Sequence, residues 1–177
     1  MATTNTMSRI QGLYAITDSG LLQGKLLPAV AAALQGGAQI IQYRDKIAIG
    51  LSADANQREQ QRRHDEATAL LALCRQHHIP LLINDDVALA QAIGADGVHL
   101  GQGDGSLFAA RARLGANAII GVTCHDRLDF ATIAARDGAS YVAFGAVFAS
   151  DTKPLAQSCP LSTLTEARAQ LPLPLVA

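Results

Sequence analysis

The sequence predicts an α/β fold of the TIM (β/α)8-barrel type, with about seven strands and six helices present in this chain. Short β-branched or apolar runs alternate with longer helical patterns, which is typical of parallel βα units. Polar clusters follow almost every strand, as they do around a single ring of barrel loops. No G-x-G-x-x-G motif follows the first strand, so a flavodoxin-like or Rossmann sheet is the less favoured alternative.

The composition is that of an ordinary globular protein. Of 177 residues, 49% are hydrophobic and 16% charged, and 14 Lys+Arg against 15 Asp+Glu leave a net charge of −1. With this balance of charges, the protein has no overall positive electrostatic field that would attract nucleic acid or an anionic membrane. No secretory signal and no apolar run of about 20 residues is present, so we expect a cytoplasmic protein without nucleic-acid or membrane partners.

The predicted strands are short, nearly continuous apolar runs, as expected when helices cover one face and a barrel interior covers the other. They span residues 12–17, 39–43, 79–84, 96–101, 118–123, 140–145 and 174–177. Glycine directly before several strands, as in "GGAQIIQ" and "GADGVHL", is typical of compact helix-to-strand loops.

The predicted helices lie between these strands and carry apolar residues at helical spacing. They span residues 26–37, 65–78, 87–94, 106–115, 127–138 and 162–171. The polar stretch 46–67 is predicted to be a long mobile loop, with its helix resuming near Arg62. The three cysteines, Cys74, Cys124 and Cys159, show no C-x-x-C and are expected to be buried or incidental thiols.

The C-terminus falls short of a closed barrel. Eight strands and eight helices close one in about 200 residues or more, whereas this chain stops inside its seventh predicted strand. The sequence therefore predicts a single (β/α) barrel domain over residues 1–177 that is incomplete at its C-terminus. Unpaired strand edges and exposed apolar faces would make such a shortened chain aggregate, swap segments or lose activity.

After the second strand, "QYRDK" places Gln42, Arg44 and Lys46 at alternating positions. Period two puts these side chains on one face of an extended segment. An amide with two cations at a strand end suits phosphate or pyrophosphate, since arginine gives bidentate bonds and lysine a point charge. A solvated loop in which Asp45 neutralises its neighbours is supported equally by the charge pattern.

Two further clusters carry carboxylates. After the third strand, Asn84 of "NDD" could be the N-cap of the next helix, with Asp85 and Asp86 in its first turn, and taken alone this interpretation is favoured. After the fourth strand, Asp104 stands between glycines. Adjacent parallel strands would bring Asp85 and Asp104 to one rim, where two carboxylates and the cations of "QYRDK" would suit a Mg²⁺-pyrophosphate complex.

The last clusters offer hydroxyls, an imidazole and a lysine. After the fifth strand stand Thr123 and His125. His99 lies inside a strand and is expected to be a satisfied histidine, in the core or behind the site residues, rather than a ligand. The loop after the sixth strand suits phosphate oxygens, although "SDTK" is also typical of an ordinary turn. Its residues are Ser150, Asp151, Thr152 and Lys153.

In this order, six motifs resemble the thiamine-phosphate synthase family from about Gly12 to Ala177: "LYAITD", "QYRDK", "LLINDD", "GADGVHLGQGD", "IIGVTCHD" and "FGAVFASDTK". The resemblance implies a TIM barrel and a transferase of thiamine biosynthesis. Such an enzyme couples hydroxymethylpyrimidine pyrophosphate to a thiazole phosphate and releases pyrophosphate with the help of Mg²⁺. Its partners would be these two small phosphorylated molecules, and a homo-oligomer is left open.

The resemblance also implies roles for individual residues. The pyrimidine pyrophosphate site would comprise Gln42, Tyr43, Arg44, Asp45, Lys46, Asn84, Thr123 and Lys153. Of these, the catalytic residues would be Arg44, Lys46 and Lys153. The thiazole phosphate would be held by Ser150, Asp151 and Thr152, where the family more often has Thr-Pro-Thr. The Mg²⁺ ligands would be Asp85 and Asp104.

Two alternatives accompany the synthase. One is a thiazole tautomerase or regulatory homologue of the same fold, with a histidine near the position of His125 implicated. The other is a non-catalytic, truncated phosphate-binding module. "QYRDK" together with Asp104 favours the synthase, because a complete metal and pyrophosphate set has no use in a tautomerase.

Overall fold

Strands and helices follow one another along the chain in the computed structural model, which describes residues 10–46, 50–148 and 158–177. The chain divides into two compact units. Among the described residues, the first unit spans Gln11–Gly97, and the second comprises Val98–Ala177 together with Ile10. Within the described part of the chain, no helix is both long and apolar enough to cross a membrane.

The first unit contains three parallel strands and the helices that follow them. The elements are β1 (Leu13–Ile16), α1 (Ser19–Leu22), α2 (Leu26–Gln35), β2 (Ala38–Tyr43), α3 (Ala53–Gln76), β3 (Leu81–Asn84) and α4 (Val87–Ile93). β2 pairs in parallel with both β1 and β3. Ile41, Leu82 and Ile83 are fully buried, as is Leu70 on α3, because aliphatic side chains fill both faces of these strands.

The second unit repeats this alternation. Its elements are β4 (Gly97–Leu100), α5 (Leu107–Leu114), β5 (Ile119–His125), α6 (Leu128–Arg136), β6 (Tyr141–Phe144), α7 (Leu161–Gln170) and β7 (Leu175–Val176). The boundary between the units falls after Gly97, the first residue of β4. β6 pairs in parallel with both β5 and β7. Its core includes Cys124, Val142, Phe144 and Cys159. All three cysteines are free and buried, which confirms their interpretation as buried thiols.

The predicted loop over residues 46–67, with its helix resuming near Arg62, is wrong from Ala53 onward, and its residues 47–49 lie outside the described residues. Helix α3 begins directly after Ser52, whose hydroxyl oxygen accepts a hydrogen bond from a backbone N–H in the first turn. Arg62 then pairs with Glu59 at 2.7 Å and with Glu66 at 2.9 Å. The stretch shows little apolar periodicity, but its capping residue and its pairs of opposite charge three and four residues apart support a helix.

Candidate active site

Two side chains at the ends of β2 and β3 form a direct contact. The Gln42 amide nitrogen donates to the Asn84 side-chain oxygen at 2.7 Å, and the Tyr14 hydroxyl donates to the Gln42 oxygen at 3.3 Å. Gln42 is only 2% exposed, so these bonds hold its amide in a defined orientation. The structure thus brings together two of the residues predicted for the pyrimidine pyrophosphate.

Arg44 is held by the end of β1. Its backbone N–H donates to the Thr17 hydroxyl at 2.9 Å, and its guanidinium pairs with Asp18 at 3.0 Å. Thr17 and Asp18 were not predicted as site residues, although the motif "LYAITD" ends in them. The sequence does contain a signal for Thr17 and Asp18, because they directly follow β1. The parallel register pairs Ile16, the last residue of β1, with Gln42 of "QYRDK".

Lys46 and Asp85 form an ion pair between the loops after β2 and β3, with nitrogen and oxygen 3.2 Å apart. The Lys46 side chain is 62% exposed and that of Asp85 26% exposed. Asp85 has a φ of 64°, in the left-handed region that aspartate and asparagine tolerate better than most residues. Asp85 precedes the N-cap of α4, so it does not lie in the first turn of the helix, where the capping interpretation put it.

The alternative interpretation, in which Asn84 caps the next helix, is wrong. Asp86 is the N-cap of α4, and its Oδ1 accepts from the Leu89 backbone N–H at 2.9 Å. Asn84 still belongs to β3, and its side chain bonds Gln42 instead. The left-handed turn at Asp85 separates Asn84 from the N-cap, and α4 begins at Val87, where the helix was predicted to begin.

Tyr43 and Asp45 have partners of their own on α1 and α3. The Tyr43 hydroxyl donates to Glu66 at 2.7 Å, and Asp45 accepts from Ser19 and from Arg62. Burial, together with the bond to Glu66, raises the pKa of Tyr43. These contacts do not test whether Tyr43 and Asp45 also contact the substrate, which stays a prediction.

Asp45 should make the protein more sensitive to acid. Burial alone would raise its pKa, but the hydrogen bonds from Ser19 and Arg62 and the charges of Arg62 and Arg63 outweigh burial, so the pKa lies below its usual range. A carboxyl group whose pKa is lowered by folding stabilises the folded protein at pH values above its unfolded pKa near 4, and this contribution is lost as the pH falls through the folded pKa.

Urea titrations between about pH 6 and pH 2 should show a smaller decline in the free energy of unfolding for Asp45→Asn than for the unaltered chain. Equal declines would contradict this.

In the second unit, Thr123 is linked to a buried histidine. His99 has one ring nitrogen 2.7 Å from the Thr123 hydroxyl and the other 2.8 Å from the Tyr141 hydroxyl. The rings of His99 and Tyr141 are stacked. His99 is therefore a satisfied buried residue, as predicted, and it orients Thr123.

The other predicted positions in the second unit are exposed or outside the described residues. Asp104 lies in an exposed loop and accepts from the Gly101 N–H at 2.9 Å. His125 ends β5 with a φ of 53°. Asp85 belongs to the first unit and Asp104 to the second, so their shared metal site stays a prediction. Four predicted site residues fall outside the described ranges: Ser150, Asp151, Thr152 and Lys153.

Parallel strands alternating with helices, with polar side chains at the carboxyl ends of the strands, are typical of the α/β-barrel class. A solved thiamine phosphate pyrophosphorylase from Pyrococcus furiosus matches with a TM-score of 0.76 and 31% identity, over 97% of this chain and 74% of that one. This match confirms the predicted barrel class.

Family comparisons give the particular identity within that class. The sequence model of the thiamine monophosphate synthase family matches residues 13–177. A thiamine-phosphate synthase from Chromobacterium violaceum is 53% identical over 161 residues, which cover 91% of this chain and 73% of the relative. One from Thioalkalivibrio sulfidiphilus is 52% identical over 175 residues, or 98% of this chain and 78% of the relative. The chain belongs to the thiamine monophosphate synthase family, which confirms the predicted family and the prediction of a transferase of thiamine biosynthesis.

Proposed function

We propose that this chain is a thiamine-phosphate synthase, which couples hydroxymethylpyrimidine pyrophosphate to a thiazole phosphate, releases pyrophosphate and uses Mg²⁺. The observation that carries the proposal is the pairing of predicted site residues from adjacent strands, Gln42 with Asn84 and Lys46 with Asp85. An amide pair can recognise a polar ring, and the adjacent cation and carboxylate suit a phosphate and a metal ion. The high identity to named synthases supports the same function.

The donor chemistry fits Mg²⁺, with Asp85 and Asp104 as its protein ligands. Mg²⁺ prefers carboxylate oxygens and is usually bound by one or two of them together with waters and substrate phosphates. Among residues 10–46, 50–148 and 158–177, no group of three or more His, Cys, Asp or Glu side chains is placed to hold a metal ion. Waters and substrate phosphates would complete the coordination, as is usual for Mg²⁺. When bound, Mg²⁺ would neutralise charge on the departing pyrophosphate.

The residues of the first unit would stabilise the leaving group. Loss of pyrophosphate from the pyrimidine methylene leaves a resonance-stabilised cation, which the thiazole nitrogen attacks, so no protein nucleophile is required. Arg44 can donate two hydrogen bonds to phosphate oxygens, and its hold by Asp18 orients it in advance. Lys46 is exposed and can exchange its contact with Asp85 for one with a phosphate oxygen.

The remaining roles belong to the same proposal. Thr123, oriented by His99, would contact the pyrimidine pyrophosphate, and Lys153 would add a third cation for its phosphates. The thiazole phosphate would be bound by Ser150, Asp151 and Thr152. We place the reaction in the cytoplasm, with two small phosphorylated substrates as the partners.

The proposal is tested by product formation. The purified chain is incubated with both substrates, with Mg²⁺ or with excess chelator, and thiamine phosphate and pyrophosphate are quantified by chromatography. Equal amounts of both products, formed only with Mg²⁺, are the expected result. Calorimetric titration with the pyrimidine pyrophosphate alone separates binding from turnover. Absence of product together with absence of Mg²⁺-dependent binding would overturn the proposal.

A further inference from the structure

Arg63 of α3 is a buried arginine that faces the two loops of the candidate site. It is 9% exposed, and its Nη1 lies 3.0 Å from Asp86 Oδ2. Its Nε lies 3.9 Å from Asp45 Oδ2 and has no hydrogen-bond partner, although it is buried. A buried guanidinium is costly unless it is paired, so the positions of the two carboxylates and of Arg63 depend on one another.

These two carboxylates are the chain neighbours of the proposed site residues. Asp45 stands between Arg44 and Lys46, and Asp86 directly follows Asp85. One guanidinium thus contacts both the loop after β2 and the loop after β3, and Lys46 and Asp85 form their ion pair between the same two loops.

We propose that Arg63 is a positioning residue that aligns the loop after β2 with the loop after β3 through Asp45 and Asp86, and so sets the geometry of the site. The inference rests on the proposed function. Arg63 contacts the neighbours of the site residues, so it acts through them rather than on the substrate. Arg62 differs, because it is 37% exposed and also pairs with Glu59 and Glu66 on its own helix.

Asp86→Asn separates this pairing from helix capping. Asparagine is as good an N-cap as aspartate, so Oδ1 of residue 86 can still accept from Leu89, while the charge that faces Arg63 is lost. Arg63→Met removes the guanidinium and keeps most of the apolar volume. Arg75→Met is the matched control, since Arg75 lies on the same helix and donates to the Gly94 carbonyl at 3.1 Å.

The expected result is a fall of kcat/KM for the pyrimidine pyrophosphate by about 10- to 100-fold in Arg63→Met and in Asp86→Asn, measured well below each melting temperature. The double variant should have a kcat/KM no lower than that of the more impaired single variant, because each single substitution already removes the pairing between Arg63 and Asp86. Arg63→Lys should recover part of the loss, and Arg75→Met should retain full activity. If both Arg63→Met and Asp86→Asn keep kcat/KM within about threefold of the unaltered chain, the inference is overturned.

A second measurement does not depend on catalysis. The side-chain amide signals of Gln42 report its bond to Asn84 in a ¹⁵N correlation spectrum. They should shift in Arg63→Met and Asp86→Asn and stay in place in Arg75→Met. If the unaltered chain shows neither thiamine phosphate formation nor Mg²⁺-dependent binding of the pyrimidine pyrophosphate, the proposed function fails, and the Gln42 signals alone then test the positioning role of Arg63. Unchanged Gln42 signals in both variants would then overturn the positioning role.

Discussion

Asp85→Asn is expected to lower kcat/KM for thiamine phosphate formation by about 100-fold or more, which is the size of loss found when a group that stabilises transition-state charge is removed. The substitution removes the charge that would bind Mg²⁺ and that pairs with Lys46 at 3.2 Å. Asparagine tolerates the left-handed φ of 64° at this position, so the backbone turn should be retained. Steady-state rates over a range of Mg²⁺ concentrations should show that more Mg²⁺ is needed for half-maximal activity.

Asp65→Asn is the matched control for this prediction. Asp65 is an exposed carboxylate on α3 whose partners are Gln61 and His64, outside the candidate site. The control should keep the activity and the Mg²⁺ dependence of the unaltered chain. An Asp85→Asn variant with the same Mg²⁺ dependence as Asp65→Asn would show that Asp85 does not bind the metal.

Gly121→Ala is expected to lower the free energy of unfolding by about 3 kcal/mol, at the upper end of the usual cost of overpacking a core. Gly121 lies on β5, and a Cβ added there would overlap the ring of Tyr141. Tyr141 is fully buried, so its ring has no free space to enter. Urea unfolding should show the lower midpoint. Because Tyr141 contacts His99, which orients Thr123, binding of the pyrimidine pyrophosphate should weaken as well.

Gly103→Ala is the control for the packing argument. An added Cβ at Gly103 would meet nothing within 4 Å, and φ at this position is not left-handed. Its unfolding free energy should stay within about 0.5 kcal/mol of that of the unaltered chain. Equal stability of the two alanine variants would show that the space beside Gly121 can adjust to a methyl group.

Local patterns in the sequence were sufficient for most of the secondary structure. Each of the seven predicted strands overlaps an observed strand, because apolar runs bounded by glycine and polar residues have no competing local interpretation. The N-terminal half of α3 was missed because its stabilising pairs are polar. The short α1 was missed as well, and only Asp18, its N-cap, indicated it.

The sequence was sufficient to predict the alternation in "QYRDK", the carboxylates after β3 and β4, and the family. Side-chain alternation and the order of motifs are properties of the chain itself. The partners of those residues depended on the tertiary structure. Asn84 rather than solvent bonds Gln42, Asp86 rather than Asn84 caps α4, and α3 supplies the guanidinium that faces Asp45 and Asp86. The cap at Asp86 is local and follows the left-handed turn at Asp85. The bond between Gln42 and Asn84 and the contacts of Arg63 join residues that are far apart in the chain, and only the packing of strands and helices determines which buried group meets which partner.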